Sequence, residues 1–277
     1  MEKLNYAGRT IDDSLVKEGL KSIAVLSLNP NSKGLYAIVG GVATQSYISS
    51  SYRRPTSDID LLVGRPLTHE DFKVFSKPVI EFLEDQGYIV RTAKRSRSYN
   101  VIIEKPNGET LLVEFSQRNK KSFENSRERI EREIEHSRTK KVEGEKDVSY
   151  VVCSPEDIIG PKLMRTVNAL KRDKSLGSYL NPYVKSSSFS DEFMLGKLEE
   201  INQFRREASL DVGNESTAGE LKLSSDIYDI VLLMEMVGVN RQYFGEVLER
   251  WTSLREESPQ RDLVFRTLLP QFEAVSV

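Results

Sequence analysis

Cysteine and histidine are nearly absent from this chain of 277 residues, which has one cysteine, Cys153, and two histidines, His69 and His136. A single cysteine excludes a disulfide framework within one chain. So few soft ligands nearly exclude a zinc site built from histidine and cysteine. We therefore expect a cytoplasmic protein whose chemistry depends on other side chains.

The sequence also lacks long apolar runs and a strong excess of charge. No stretch of eighteen apolar residues occurs and the first ten residues carry no apolar segment, so we expect no membrane partner and no signal peptide. Forty basic and forty-two acidic side chains give a net charge of -2. Contact with nucleic acid would therefore need a local basic patch.

The hydrophobic pattern changes near residue 155, from short β-like runs to longer helical periods. This predicts an α/β (α+β) fold with a mixed-sheet lobe over residues 1–153 and a helical lobe over residues 154–277. A strongly charged helix is expected over residues 120–141, and a loop over residues 211–219. The predicted strands cover residues 35–39, 58–63, 88–92, 99–104, 110–115 and 148–153.

Two short segments of the first lobe carry the residues best suited to chemistry. Gly40 and Gly41 follow a strand, where they would let the backbone turn tightly and approach a phosphate group. Asp58 and Asp60 lie two apart on a strand, so they point to the same face. Their repulsion is relieved if a divalent cation lies between them, and oxygen ligands suit Mg²⁺ or Mn²⁺.

A third acid, Glu114, interrupts the apolar strand Leu111-Leu112-Val113-Glu114-Phe115 and is the best candidate to complete a metal site with Asp58 and Asp60. The combination of Gly-Gly, a short helix, Asp-x-Asp and a later strand acid resembles the polymerase β type nucleotidyltransferase superfamily. Residues 154–163 and 222–229 resemble the later motifs of its AbiEii/AbiGii (MenT-like) toxin family.

That resemblance implies roles for individual residues. Asp58, Asp60 and Glu114 would be catalytic metal ligands, and Lys162 and Asp226 would be a catalytic pair of the second lobe. The nucleotide would contact Gly40, Gly41, Arg54 and Lys162. Other interpretations stay open: Lys162 could lie at a core margin, Asp226 and Asp229 could pair with Lys222, and Arg54 could neutralise Asp58.

The resemblance further implies transfer of NMP from an NTP to an acceptor hydroxyl, with RNA as the favoured acceptor and the 3' end of tRNA as one candidate. It also implies a toxin of a toxin-antitoxin system, with an antitoxin protein as partner. Transfer to a small molecule or a protein hydroxyl, or nucleotide binding without turnover, are the alternatives.

A basic patch at a predicted hairpin is the candidate for contact with RNA. It consists of Arg91, Lys94, Arg95 and Arg97 and includes no acid, with Tyr99 adjacent. A solvated hairpin without a ligand is the competing interpretation.

Overall fold

The computed structural model describes residues 8–96, 98–184, 189–210 and 215–273. The chain forms two units: Met1–Ser46 with Pro55–Ser154, and Tyr47–Arg54 with Pro155–Val277. The segment 47–54, which the sequence pattern assigned to the first lobe, thus packs within the helical unit. Among the described residues, no helix has the length and apolar character needed to cross a bilayer.

The first unit is built on a mixed sheet, which confirms the predicted α/β class. Seven strands pair in the order β3-β4-β5-β2-β1-β7-β6. The pairs β1–β7 and β2–β5 are parallel and the other neighbours are antiparallel. The strands are β1 (Tyr36–Val39), β2 (Asp58–Val63), β3 (Ile89–Lys94), β4 (Ser98–Glu104), β5 (Thr110–Ser116), β6 (Arg138–Lys141) and β7 (Ser149–Val152).

Apolar side chains on one face of the sheet hold the first and third helices of this unit. At Gly19, in the first helix, a Cβ atom would lie 2.8 Å from Ile59 Cδ1, so the glycine lets this helix approach β2 closely. On the third helix, the ring of Phe72 packs edge-on against Phe115 of β5, with 5.5 Å between the ring centroids. The helices are α1 (Ser14–Ala24), α2 (Gly40–Gln45), α3 (His69–Asp85), α4 (Lys120–Glu124) and α5 (Arg127–Glu135), with 3-10 helix Val25–Ser27 after α1.

The prediction of one helix over residues 120–141 is confirmed over residues 120–124 and 127–135 and is wrong at the break between them and after residue 135. The segment forms α4 and α5 and then the edge strand β6, which pairs with β7. β6 reads Arg-Thr-Lys-Lys and has no apolar residue, so no alternation of apolar and polar side chains marks it as a strand. Pairing with β7, a tertiary interaction, is what makes this segment a strand.

The second unit is helical, as predicted. Its first α-helix, α6 (Pro155–Arg172), is amphipathic and buries an apolar face that includes Ile159, Leu163 and Val167. α8 begins at Glu215, inside the region predicted as a loop. The helices are α6 (Pro155–Arg172), α7 (Asp191–Leu210), α8 (Glu215–Leu232), α9 (Arg241–Glu249), α10 (Thr252–Arg255), α11 (Pro259–Leu268) and α12 (Pro270–Glu273), with 3-10 helices Ser50–Tyr52 and Lys174–Tyr183 and the π-helix Leu233–Val237.

Candidate metal centre

Three carboxylates converge on one face of the sheet, opposite the face that holds α1 and α3. β2 and β5 are parallel, and their register places Asp60 beside Glu114. Asp58 lies two residues earlier on β2 and therefore shares the face of Asp60. One oxygen atom from each of Asp58, Asp60 and Glu114 lies within 4.8 Å of the others, and all three residues are partly exposed.

The turn that follows β1 is packed directly against this acidic site. Gly40 has φ +73°, a conformation that other residues rarely adopt. A Cβ atom at Gly40 would overlap Asp60 Oδ2 and lie 3.2 Å from Asp60 Cγ. Glycine is therefore required here twice, once for the backbone and once for the space that the Asp60 carboxylate occupies.

The donor set fits a divalent cation. Three carboxylates at these separations repel one another, and the hydroxyl of Thr56 donates to Asp58 Oδ1 at 3.3 Å. Hard oxygen ligands that include two or three carboxylates are typical of Mg²⁺ and Mn²⁺ sites. Three protein ligands also leave coordination positions for water or for phosphate oxygens.

A polar neighbour of Glu114 escaped the sequence analysis. Asn100 of β4 lies directly opposite Glu114 in the antiparallel register and is 1% exposed. With the Asn100 amide oriented so that its oxygen accepts, Arg95 Nε donates to it at 3.1 Å. The tight turn at Gly108 sets this register, so pairing the two predicted strands outward from the turn could have identified Asn100.

The predicted basic patch is divided between the two faces of the sheet. Arg95 contacts Asn100 on the face of the acids. Lys94 lies opposite Tyr99 on the other face, and its Nζ atom is 5.9 Å from the centroid of the Tyr99 ring. Arg91 shares the acid face and pairs with Glu104. Arg97 lies outside the described residues. Of the four predicted side chains, Arg95 is thus the one that the described contacts connect to the acidic site.

The residues predicted for the second lobe form a buried ion network inside the helical unit. Lys162 is 1% exposed, and its Nζ atom lies 2.7 Å from Asp229 Oδ2 and 3.3 Å from Asp226 Oδ1. Arg54 donates to both oxygens of Asp229, at 2.8 and 2.6 Å, and Arg165 donates to both oxygens of Asp226, at 2.7 and 3.0 Å. The ammonium of Lys162 is therefore held by carboxylates rather than lying at a core margin. The nucleotide-binding roles of Arg54 and Lys162 stay predictions.

The cations of this network control the ionisation of its acids. Burial is the largest single effect and raises the pKa of both carboxyls. The combined attraction of Lys162, Lys222 and Arg165 outweighs it for Asp226, and the combined attraction of Arg54 and Lys162 outweighs it for Asp229. The pKa of each carboxyl is consequently below its usual value of 3.8. Both acids remain charged at neutral pH.

Comparison with known proteins finds a distant structural likeness. No protein-family model matches the chain, and no curated protein matches its sequence. Among solved structures, the chain is similar to an antigenic nucleotidyltransferase-like protein from Paracoccidioides brasiliensis, with 17% sequence identity and a TM-score of 0.35. The match covers 74% of this chain and 93% of that protein's chain.

Proposed function

We propose that this protein is a metal-dependent nucleotidyltransferase that transfers NMP from an NTP to an acceptor hydroxyl. The observation that carries the proposal is the convergence of Asp58, Asp60 and Glu114 beside the turn at Gly40. These carboxylates would hold Mg²⁺ or Mn²⁺. When bound, such a cation supplies positive charge to the oxygens of the attacking and leaving groups.

In the proposed reaction, the acceptor hydroxyl attacks the α-phosphorus of the NTP. A bond forms between the acceptor oxygen and phosphorus, the bond from phosphorus to the bridging oxygen of the leaving group breaks, and pyrophosphate departs. The proton of the hydroxyl passes to one of the three carboxylates. The backbone of Gly40 and Gly41, free of side chains, would lie along the phosphates.

RNA is the acceptor that we propose, with the 3' end of tRNA as one example. Arg95 supports this choice, because it is an exposed cation connected through Asn100 to the strand of Glu114. The motif resemblance to AbiEii/AbiGii toxins supports a role as the toxin of a toxin-antitoxin pair, with a cognate antitoxin protein. In that case, induced expression in a bacterial host arrests growth.

Replacement of one metal ligand tests the proposed activity. The assay follows transfer of labelled NMP to total RNA in the presence of Mg²⁺, with each NTP tested in turn. We expect Asp60→Asn to lower this transfer by about a hundredfold or more, because the site that stabilises charge in the transition state loses one negatively charged ligand. The same variant should abolish growth arrest. Asp85→Asn, an exposed residue at the end of α3, is the matched control and should keep full activity.

A second measurement separates catalysis from binding. Mg²⁺ or Mn²⁺ should raise the melting temperature of the wild-type protein and of Asp85→Asn, since a cation that binds only the folded state stabilises it. Asp60→Asn should lose most of this increase. Equal NMP transfer by the wild-type protein and Asp60→Asn would refute the proposed function.

A further inference from the structure

A cavity of about 500 Å³ lies between α6 and α8 of the helical unit. Its volume is within the range of about 300 to 1,000 Å³ that is typical of small-ligand pockets. Apolar atoms contribute most of its exposed lining, which includes Ala169 and Leu223 together with polar and charged residues. The charged lining residues are Arg165, Lys171, Arg172, Lys222 and Asp226.

The charge of this lining is strongly unbalanced. Four cations face one carboxylate, Asp226, which is already held by both nitrogens of the Arg165 fork. In the described part of the chain, no carboxylate oxygen lies within 4.0 Å of the side-chain nitrogens of Lys171, Arg172 or Lys222. Lys171 and Arg172 therefore lack a close counter-ion among the described residues, and Lys222 has only the longer-range attraction of Asp226, which Arg165 and Lys162 also contact.

Two nearby acids, Asp173 and Glu220, form no ion pair with Lys171, Arg172 or Lys222 and accept hydrogen bonds from other residues. Asp173, next in sequence to Arg172, accepts from the backbone N–H and the hydroxyl of Ser175 at 2.9 and 2.7 Å. Glu220 of α8 accepts from the hydroxyl of Tyr179 at 2.7 Å. Each of these carboxylates thus has a hydrogen-bond donor of its own.

The buried network beneath the cavity adds to the positive potential. Asp226 attracts the ammonium of Lys222 and raises its pKa, but desolvation and repulsion from Lys162, Arg165 and Arg54 outweigh that attraction. The pKa of Lys222 is consequently lowered, although its side chain reaches solvent. A bound anion would relieve this repulsion.

We propose that this cavity binds a small oligophosphate, either free pyrophosphate or the phosphates of a nucleotide. Guanidinium groups donate in a fork that matches phosphate oxygens, and ammonium groups add point charges. The volume of the cavity suits a small ligand rather than an extended polymer. The cavity shares Asp226 with the predicted catalytic pair, but the residues changed in its test, Lys171, Arg172 and Lys222, are not part of the proposed catalytic site.

Calorimetric titration without divalent cations tests the cavity selectively, because three bare carboxylates repel an oligophosphate. The probes are pyrophosphate and ATP, each in EDTA, and a short RNA in parallel. We expect pyrophosphate to bind the wild-type protein and to bind at least about tenfold more weakly to K171Q/R172Q, since each charged hydrogen bond contributes about a factor of ten. K222Q should weaken binding similarly.

K120Q/K121Q is the matched control, since it removes two adjacent exposed lysines at the start of α4 and changes the net charge equally. It should leave the affinity for pyrophosphate unchanged. The proposal would be overturned if the control and the cavity variants weakened pyrophosphate binding equally. It would also be overturned if pyrophosphate did not bind at all and K171Q/R172Q weakened RNA binding instead. Pyrophosphate binding that persists in a protein without NMP transfer would support the cavity and refute only the proposed function.

Discussion

At Gly40, a backbone requirement and a steric requirement coincide, and this residue shows how the acidic site depends on its surroundings. The turn places the chain after β1 against Asp60, so the position of this carboxylate depends on the absence of a side chain at residue 40. A glycine at the first position of a short helix is therefore part of the candidate metal centre without contributing a ligand atom.

Gly40→Ala should lower the stability of the protein and also impair NMP transfer and the Mg²⁺-dependent rise in melting temperature. The positive φ alone costs roughly 1–2 kcal/mol, and displacement of Asp60 adds to it. Gly34→Ala is the control, because Gly34 has the same φ of +73° and no atom within 4 Å of a built Cβ. It should share the backbone cost and retain transfer. Thermal melts and transfer assays on both variants make the comparison, and normal transfer by Gly40→Ala would contradict this account.

The residues of the acidic site could be predicted from the sequence because they depend on local rules. Alternation along a strand places Asp58 and Asp60 on one face, and Glu114 is conspicuous as an acid within an apolar strand. The ion network could not be assembled in this way. Arg54 and Asp229 are 175 positions apart, and no local pattern indicates that they pair.

At the scale of elements, the sheet explains which predictions succeeded. The hairpin of β4 and β5 was predictable because Asn107-Gly108 favours a tight turn between two apolar strands. The parallel pairing of β2 with β5 was not, since it joins strands that are distant in sequence and requires no particular turn. This pairing is what brings Glu114 beside Asp60.

The hairpin of β3 and β4 offers a test in which adjacent residues lie on opposite faces. Arg95 is on the face of the acids and Lys94 is on the face of α3, and both are exposed cations. If RNA approaches the acidic face, Arg95→Gln should weaken RNA binding. The slope of log affinity against log salt should become shallower by about 0.7, because the variant no longer neutralises one phosphate of the single strand.

Lys94→Gln is the matched control for Arg95→Gln, since it removes the same charge from the neighbouring position. It should leave the salt slope of RNA binding and the rate of NMP transfer close to those of the wild-type protein. Binding measured at several salt concentrations tests both variants. An equal effect of the two substitutions would show that RNA does not distinguish the faces of this hairpin.

For the whole molecule, the two units differ in how charge is used. The first unit gathers three partly exposed carboxylates, whereas the second buries Asp226 and Asp229 against cations. Removing one partner from a buried ion pair leaves an uncompensated charge and typically costs about 3–5 kcal/mol. The helical unit should therefore depend on its acids for stability.

This dependence predicts that the helical unit loses stability in acid. Asp226 and Asp229 have pKa values lowered by folding, so their contribution is complete above the unfolded value of 3.8 and is lost as the pH falls below it. Asp229→Asn should be destabilised by about 3–5 kcal/mol at pH 7, and its free energy of unfolding should decline less steeply below pH 4.

Asp262→Asn, which changes a side chain that is 49% exposed, is the control and should follow the wild-type curve within about 0.5 kcal/mol. The single tryptophan, Trp251, lies against Gly160 in the helical unit, so its fluorescence during denaturant unfolding at each pH reports on this unit. A wild-type free energy of unfolding that stays constant from pH 7 to pH 2 would show that the two carboxylates do not stabilise the fold in this way.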